Sequence, residues 1–277
     1  MVARELGRMV PGPLRPVARS ALVRWRHRGL CDHDAVVVSY PKSGSTWLRF
    51  LLATALGAEE VDFDSVRRVV PPVGRHRGAP PLLPGGGRLV RSHEPMSRLA
   101  GARDGRVVYL VRDGRDVARS YLHHARAEGR FGGDPDAFVD VFLAGRIDGY
   151  GPWIDHVLGS VSFAEAGRGP LLTVRYEDLR SDTAGELARV LDFLGADVPR
   201  QRVAASVDAN TKERMRAKEG ESAFMRRRFG GGDSFVREDI AGAVKPAFGP
   251  EARARLEATF APALRAFGYD VVTGPPG

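Results

Sequence analysis

A chain of 277 residues that is 43% hydrophobic and 27% charged can bury one large core and is too apolar to remain disordered, so a single α/β domain suffices. The net charge of +8 suits an anionic partner, but lysine occurs only at positions 42, 212, 218 and 245, and the remaining basic charge is arginine amid abundant Ala, Gly and Val; such bias gives no separate reason to expect nucleic acid. No apolar run nears the roughly 20 residues that cross a bilayer, the first residues lack the apolar core of a secretory signal, and the single Cys31 forms neither an internal disulfide nor a Cys/His metal cluster, so a cytoplasmic, metal-free protein without membrane insertion is expected.

Residues 1–30 read as a basic N-terminal arm ahead of a domain over 31–277. A helix from Pro16 puts Val17, Ala21, Leu22 and Trp25 on one side and Arg19, Arg24, Arg26 and Arg28 elsewhere, and Trp25 is expected to pack on the domain. A membrane-surface helix competes with that reading but has too short an apolar face. Residues 35–40 read as a buried strand, 41–45 as a turn and 46–56 as a helix. The Pro- and Gly-rich stretch 71–87 is loop, and the short strand 88–91 then delivers His93 and Glu94. Strand 107–111 runs into Arg112 and a helix over 115–127. Asp134-Pro135 opens another helix, 153–166 forms the next, and 171–176 is the fourth strand. Thr183 with Glu186 resembles a capping box for a helix ending near Gly195, and a last helix covers 251–267. Strands alternating with helices imply one domain with a mainly parallel sheet flanked by helices, whose ligands collect at the carboxyl ends of the strands.

The candidate residues fall at those ends. Tyr40-Pro41-Lys42-Ser43-Gly44-Ser45-Thr46-Trp47 joins a buried strand to a helix, so backbone N–H groups and a helix N-terminus face an anion in a P-loop-like strand–loop–helix. A Walker A loop needs Gly, four residues, then Gly-Lys-Ser or Gly-Lys-Thr. Here Lys42 precedes Gly44, and no strand end offers an obvious acidic residue for magnesium. In Val111-Arg112-Asp113-Gly114-Arg115-Asp116-Val117-Ala118-Arg119-Ser120, a strand-end guanidinium and a hydroxyl two helical turns on can converge on one phosphate. Arg112 paired with Asp116 is the purely structural alternative. His93 follows Val90-Arg91-Ser92, where an imidazole of near-neutral pKa can take a proton from a nucleophile, with Glu94 in reserve.

Together these segments resemble the cytosolic-type sulfotransferases that use 3′-phosphoadenosine 5′-phosphosulfate (PAPS). The first string matches the family's 5′-phosphosulfate loop throughout. The resemblance implies that Lys42 contacts the bridging oxygen and sulfuryl group, that Ser43, Gly44, Ser45 and Thr46 cradle the 5′-phosphate, and that Trp47 packs against adenine. It assigns Arg112 and Ser120 to the 3′-phosphate and His93 as the base. Val174-Arg175-Tyr176-Glu177-Asp178-Leu179 resembles a strand end that brings Tyr176 near adenine, with a structural role for Glu177 or Asp178. Phe224-Met225-Arg226-Arg227-Arg228-Phe229-Gly230-Gly231-Gly232-Asp233 is similar to a segment that closes over the nucleotide, implying 3′-phosphate contacts from Arg226 and Arg227. Four positions depart from the pattern: Thr211-Lys212 stands where a Ser-Phe pair packs on adenine, Arg228 replaces Gly, and Ser234 replaces Trp. The resemblance covers about 35–233, leaving the arm and the last helix unmatched.

The implied activity is metal-free, in-line transfer of a sulfuryl group from PAPS to the hydroxyl or amine of a small-molecule acceptor. A P-loop-type kinase or NTPase and a nonenzymatic binder of acidic polymers are the rivals. The motifs leave the acceptor open, and residues 63–87 and 130–152 are expected to shape its pocket.

Overall fold

The computed structural model describes residues 15–99, 105–229, 236 and 247–271. Among them, β1 (Ala35–Ser39), β2 (Leu89–Ser92), β3 (Arg106–Val111) and β4 (Leu171–Arg175) form one sheet in the order β2-β1-β3-β4, with every pairing parallel. Around it lie α1 (Arg15–His27), α2 (Ser45–Ala55), α3 (Val66–Val69), α4 (Gly114–Ala127), α5 (Pro135–Leu143), α6 (Trp153–Glu165), α7 (Tyr176–Ser181), α8 (Thr183–Phe193), α9 (Arg200–Ala209), α10 (Lys212–Glu221), α11 (Ala223–Phe229) and α12 (Pro250–Ala266). The chain steps from β1 to one side and then to the other, so β1 sits where the strand order reverses, the place where such sheets bind ligands.

Near-continuous apolar strands are what a sheet covered on both faces requires. All five residues of β1 are buried, and the pleat divides them between two cores. Val36 and Val38 join Val107, Tyr109 and Val111 under α4, α5, α6 and α12. Ala35 and Val37 join Val108, Leu110 and Val174 under α2, α8 and α9. The expected α/β architecture is present, with strand and helix ends displaced by one residue at most positions.

Some expectations need correction. Trp25 is 59% exposed, while Val23 and His27 are buried. Those two lie one helical turn apart, and Trp25, about 200° around the helix from each, points outward; a polar histidine on the buried face hid the true packing side. Tyr176 ends no strand but opens α7. The cap of α8 is Asp182, whose carboxylate accepts from Gly185 N, which leaves Thr183 as the first helical residue. The stretch from Arg200 to Phe229 forms three helices that the hydrophobic pattern did not announce; α10 buries only Met215 and Glu219 and is opened by Thr211, whose hydroxyl accepts from Arg214 N. Met1 to Leu14, Gly230 to Asp233 and Ser234, named from sequence as arm and lid, lie outside the described residues.

Candidate active site at the strand ends

The loop after β1 turns through two left-handed residues, Lys42 (φ 73°) and Gly44 (φ 94°). Glycine adopts that conformation without strain, whereas lysine does so at a cost of about 1 kcal/mol or more. Gly44 is required for a second reason, because a Cβ there would lie 2.4 Å from Cδ2 of Tyr176. No side chain caps α2, and while Trp47 N donates to Gly44 O, the N–H groups of Ser45 and Thr46 are available to an anion. Ser43 is 1% exposed and its buried Oγ has no protein partner.

Arg112 leaves the end of β3 and Ser120 lies two turns along α4; both are buried. The guanidinium reaches Asp116 at 3.4 Å and lies 4.4 Å over the Tyr176 ring, while its Nε is buried without a partner. Tyr176 therefore joins the two phosphate motifs, touching Gly44 on one side and Arg112 on the other. Trp47 meets Tyr176 edge-on at 6.2 Å and donates from Nε1 to Asn210 O at 2.8 Å. Glu177 accepts from Asp113 N and from the Tyr269 hydroxyl, and so locks the start of α4. Of the two carboxylates considered from sequence, Glu177 carries this structural contact.

His93 follows β2 directly. Its Nδ1 lies 2.8 Å from Ser39 O, and a carbonyl only accepts, so the proton belongs on Nδ1 and the lone pair on Nε2. Burial, and then the charge of Arg91, push its pKa well below the usual histidine range. From α6, His156 Nε2 donates to the His93 carbonyl at 3.3 Å and Nδ1 accepts from the Tyr109 hydroxyl at 2.9 Å. No sequence signal pointed to this second histidine, 63 residues away. Glu94 has its two oxygens 3.0 Å from Arg19 and 3.5 Å from Arg98, which occupies the reserve base with two cations. A cavity of about 100 Å3 opens beside His93 and is lined also by Pro72, Val73 and Tyr150, so both segments expected to shape an acceptor pocket reach it.

Arg226 and Arg227 lie on α11. Arg226 donates to Gly220 O and Glu221 O, and Arg227 is exposed. The neighbouring Arg228, a departure from the family pattern, reaches Glu128 Oε1 at 2.7 Å and His124 Nε2 at 3.2 Å.

Five enclosed histidines make stability depend on pH. Burial is the largest cause lowering the pKa of His27, His76, His93, His124 (to about 3) and His156 (to about 4) from 6.5. Below 6.5 the unfolded chain binds protons that the folded one excludes, so this stabilisation is complete above that pH and is lost as pH falls towards 4. For His156, 1% exposed, the slope reaches about 1.4 kcal/mol per pH unit. Denaturant midpoints are expected to fall steadily from about pH 6.5 to pH 4.5; equal midpoints across that range would contradict neutral burial.

Comparison with known proteins agrees with this arrangement. The sulfotransferase domain family matches residues 32–268, which takes in α12 and so corrects the narrower span read from the motifs. Human sulfotransferase 2B1 is 29% identical over 199 residues, covering 67% of this chain and 53% of that protein. Rat sulfotransferase 1 family member D1 is 30% identical over 190 residues, covering 61% of each. The chain thus spans between about half and two thirds of the length of these curated relatives. Among solved structures, a retinol dehydratase in complex with androsterone and the inactive cofactor PAP superposes with a TM-score of 0.68 at 21% identity, over 88% of this chain and 83% of that one. A mouse sulfotransferase complexed with PAP gives 0.64 at 21% identity over 88% of each; at such identity these two establish the fold. The domain match over most of the length, on a parallel sheet whose strand ends carry the two candidate phosphate segments, means that the chain belongs to the sulfotransferase domain family.

Proposed function

We propose that this protein transfers a sulfuryl group from PAPS to the hydroxyl or amine of a small-molecule acceptor, without a metal. The observation that carries this reading is a pair of buried, unpartnered polar atoms, Ser43 Oγ and Arg112 Nε, one in each phosphate motif. A buried polar group without a partner is costly, and the 5′- and 3′-phosphates of one nucleotide would satisfy both. The relatives named above and the PAP in both solved neighbours support the same donor.

In the proposed reaction the acceptor O–H proton passes to His93 Nε2 as the acceptor oxygen forms a bond to sulfur. The bond from sulfur to the bridging phosphate oxygen breaks, and its electron pair leaves on 3′-phosphoadenosine 5′-phosphate. Lys42 and the N–H groups of α2 oppose the charge that develops there, where stabilisation accelerates transfer most. Trp47 and Tyr176 pack near adenine. Arg226 and Arg227 close over the 3′-phosphate, which requires Arg226 to release the carbonyls of Gly220 and Glu221. No helix of the described residues is long and apolar enough to cross a membrane. The exposed free thiol of Cys31 suits a reducing cytoplasm.

The test is ligand stabilisation. At about 100 times its Kd, 3′-phosphoadenosine 5′-phosphate should add about 2.7 kcal/mol to unfolding, whereas adenosine 5′-phosphate and ATP with magnesium should add much less. Equal stabilisation by adenosine 5′-phosphate would remove the role of Arg112 and Ser120. Turnover should survive a chelator, and a loss that magnesium restores would favour a kinase.

A further inference from the structure

We propose, resting on the sulfotransferase reading, that the acceptor carries an anionic group, a carboxylate, phosphate or sulfate, seated between Arg91 and Arg26 in the cavity beside His93. The cavity, about 100 Å3, has room for several water-sized atoms or one small oxyanion. Its lining includes Arg26, His27, Arg91, Glu94 and Tyr150, and neither phosphate motif contributes to it.

The wall is cationic and unmatched. Arg91 has a buried Nε without a partner, and among the described residues no carboxylate pairs with it. Burial first, and then the like charges of Arg67 and Arg228, press its pKa down against an opposing Tyr150; burial first, and then Arg91 and Arg67, do the same to the buried Arg49. Glu94, the one carboxylate on the lining, faces Arg19 and Arg98. His27 donates from Nδ1 to Val23 O, and its buried Nε2 has no partner. A second cation is fitted into the wall: the stem of Arg26 lies against Gly74, where a Cβ would come within 2.9 Å of Arg26 Cγ, and Gly74 is held at φ +96°. Desolvated like charges of this kind are stabilised by an anion between them. The exposed Arg67 extends the positive field outward and would steer such an acceptor inward, whereas Arg228 is matched by Glu128.

The experiment compares binding of 3-(4-hydroxyphenyl)propionate with that of its methyl ester, by calorimetry, with and without saturating 3′-phosphoadenosine 5′-phosphate. The acid should bind at least about tenfold more tightly in both states. Arg91→Met should bring the ratio close to one while changing the nucleotide Kd by less than about threefold. Arg26→Met, on the rim of the same cavity, should reduce the ratio independently and serves if the Arg91 variant does not fold. Equal binding of acid and ester overturns the proposal. So does a ratio that vanishes when nucleotide is bound, or a nucleotide Kd raised about tenfold or more by Arg91→Met, because the cations then belong to PAPS. Failure of the nucleotide itself to bind would instead sink the sulfotransferase reading, and the acid-to-ester ratio in nucleotide-free protein would still test the anion site.

Discussion

His93→Ala is expected to fold, to bind 3′-phosphoadenosine 5′-phosphate normally, and to lose on the order of 10²-fold or more in turnover. The residues proposed for both phosphates lie on other strand ends, so binding and proton transfer should separate cleanly. With Nδ1 committed to Ser39 O, Nε2 is the basic atom. Because burial and Arg91 lower its pKa, the acidic limb of the wild-type rate profile should lie well below 6.5, and the variant should lack it. Glu94→Gln is the control. Its carboxylate is occupied by Arg19 and Arg98, so that change should loosen α1 and leave the acidic limb in place. A Glu94→Gln enzyme without turnover, beside an active His93→Ala enzyme, would make Glu94 the base.

Lys42→Ala should lower turnover by about 10²-fold or more under saturating substrates while weakening the product nucleotide far less. In the proposed site, binding is shared among Ser43 to Trp47, Arg112 and Ser120, and Lys42 is the side chain that brings a full charge to the leaving oxygen. Its left-handed backbone, φ 73°, supplies a second variant that separates charge from loop shape. Lys42→Gly should relieve about 1 kcal/mol of strain and be at least as stable as wild type, yet equally impaired in turnover. Near-normal turnover of either variant would show that the ammonium is not the electrophile.

The sheet was legible because parallel strands buried on both faces must be apolar almost throughout, and 35–40 and 107–111 are. The geometry of the two candidate phosphate segments was legible because it is local: Gly44 turns the loop, and eight residues carry the helix from Arg112 to Ser120. Helix α10 was not, since a sequence such as Lys-Glu-Arg-Met-Arg-Ala-Lys-Glu-Gly-Glu buries too little to display a period and is held by its cap and its neighbours. Trp25 was misjudged for a related reason. The largest apolar side chain of α1 drew the packing face to itself, whereas Val23 and His27 occupy it.

The sequence by itself determined the four strands and most of the helices between them, the two candidate phosphate segments, and the histidine at the end of β2, because each depends on residues within a few turns of one another. Only the tertiary structure decided that Tyr176 fills the space over Gly44 and beneath Arg112, that His156 holds the carbonyl of His93, that two arginines occupy Glu94, and that Arg26 and Arg91 face one cavity. Apart from the local Arg98–Glu94 pair, those contacts join residues 63 to 132 positions apart by their place at the same edge of the sheet. Spatial adjacency of that kind follows from the parallel crossovers that bring every strand's carboxyl end to one side, and it leaves no local pattern in the chain.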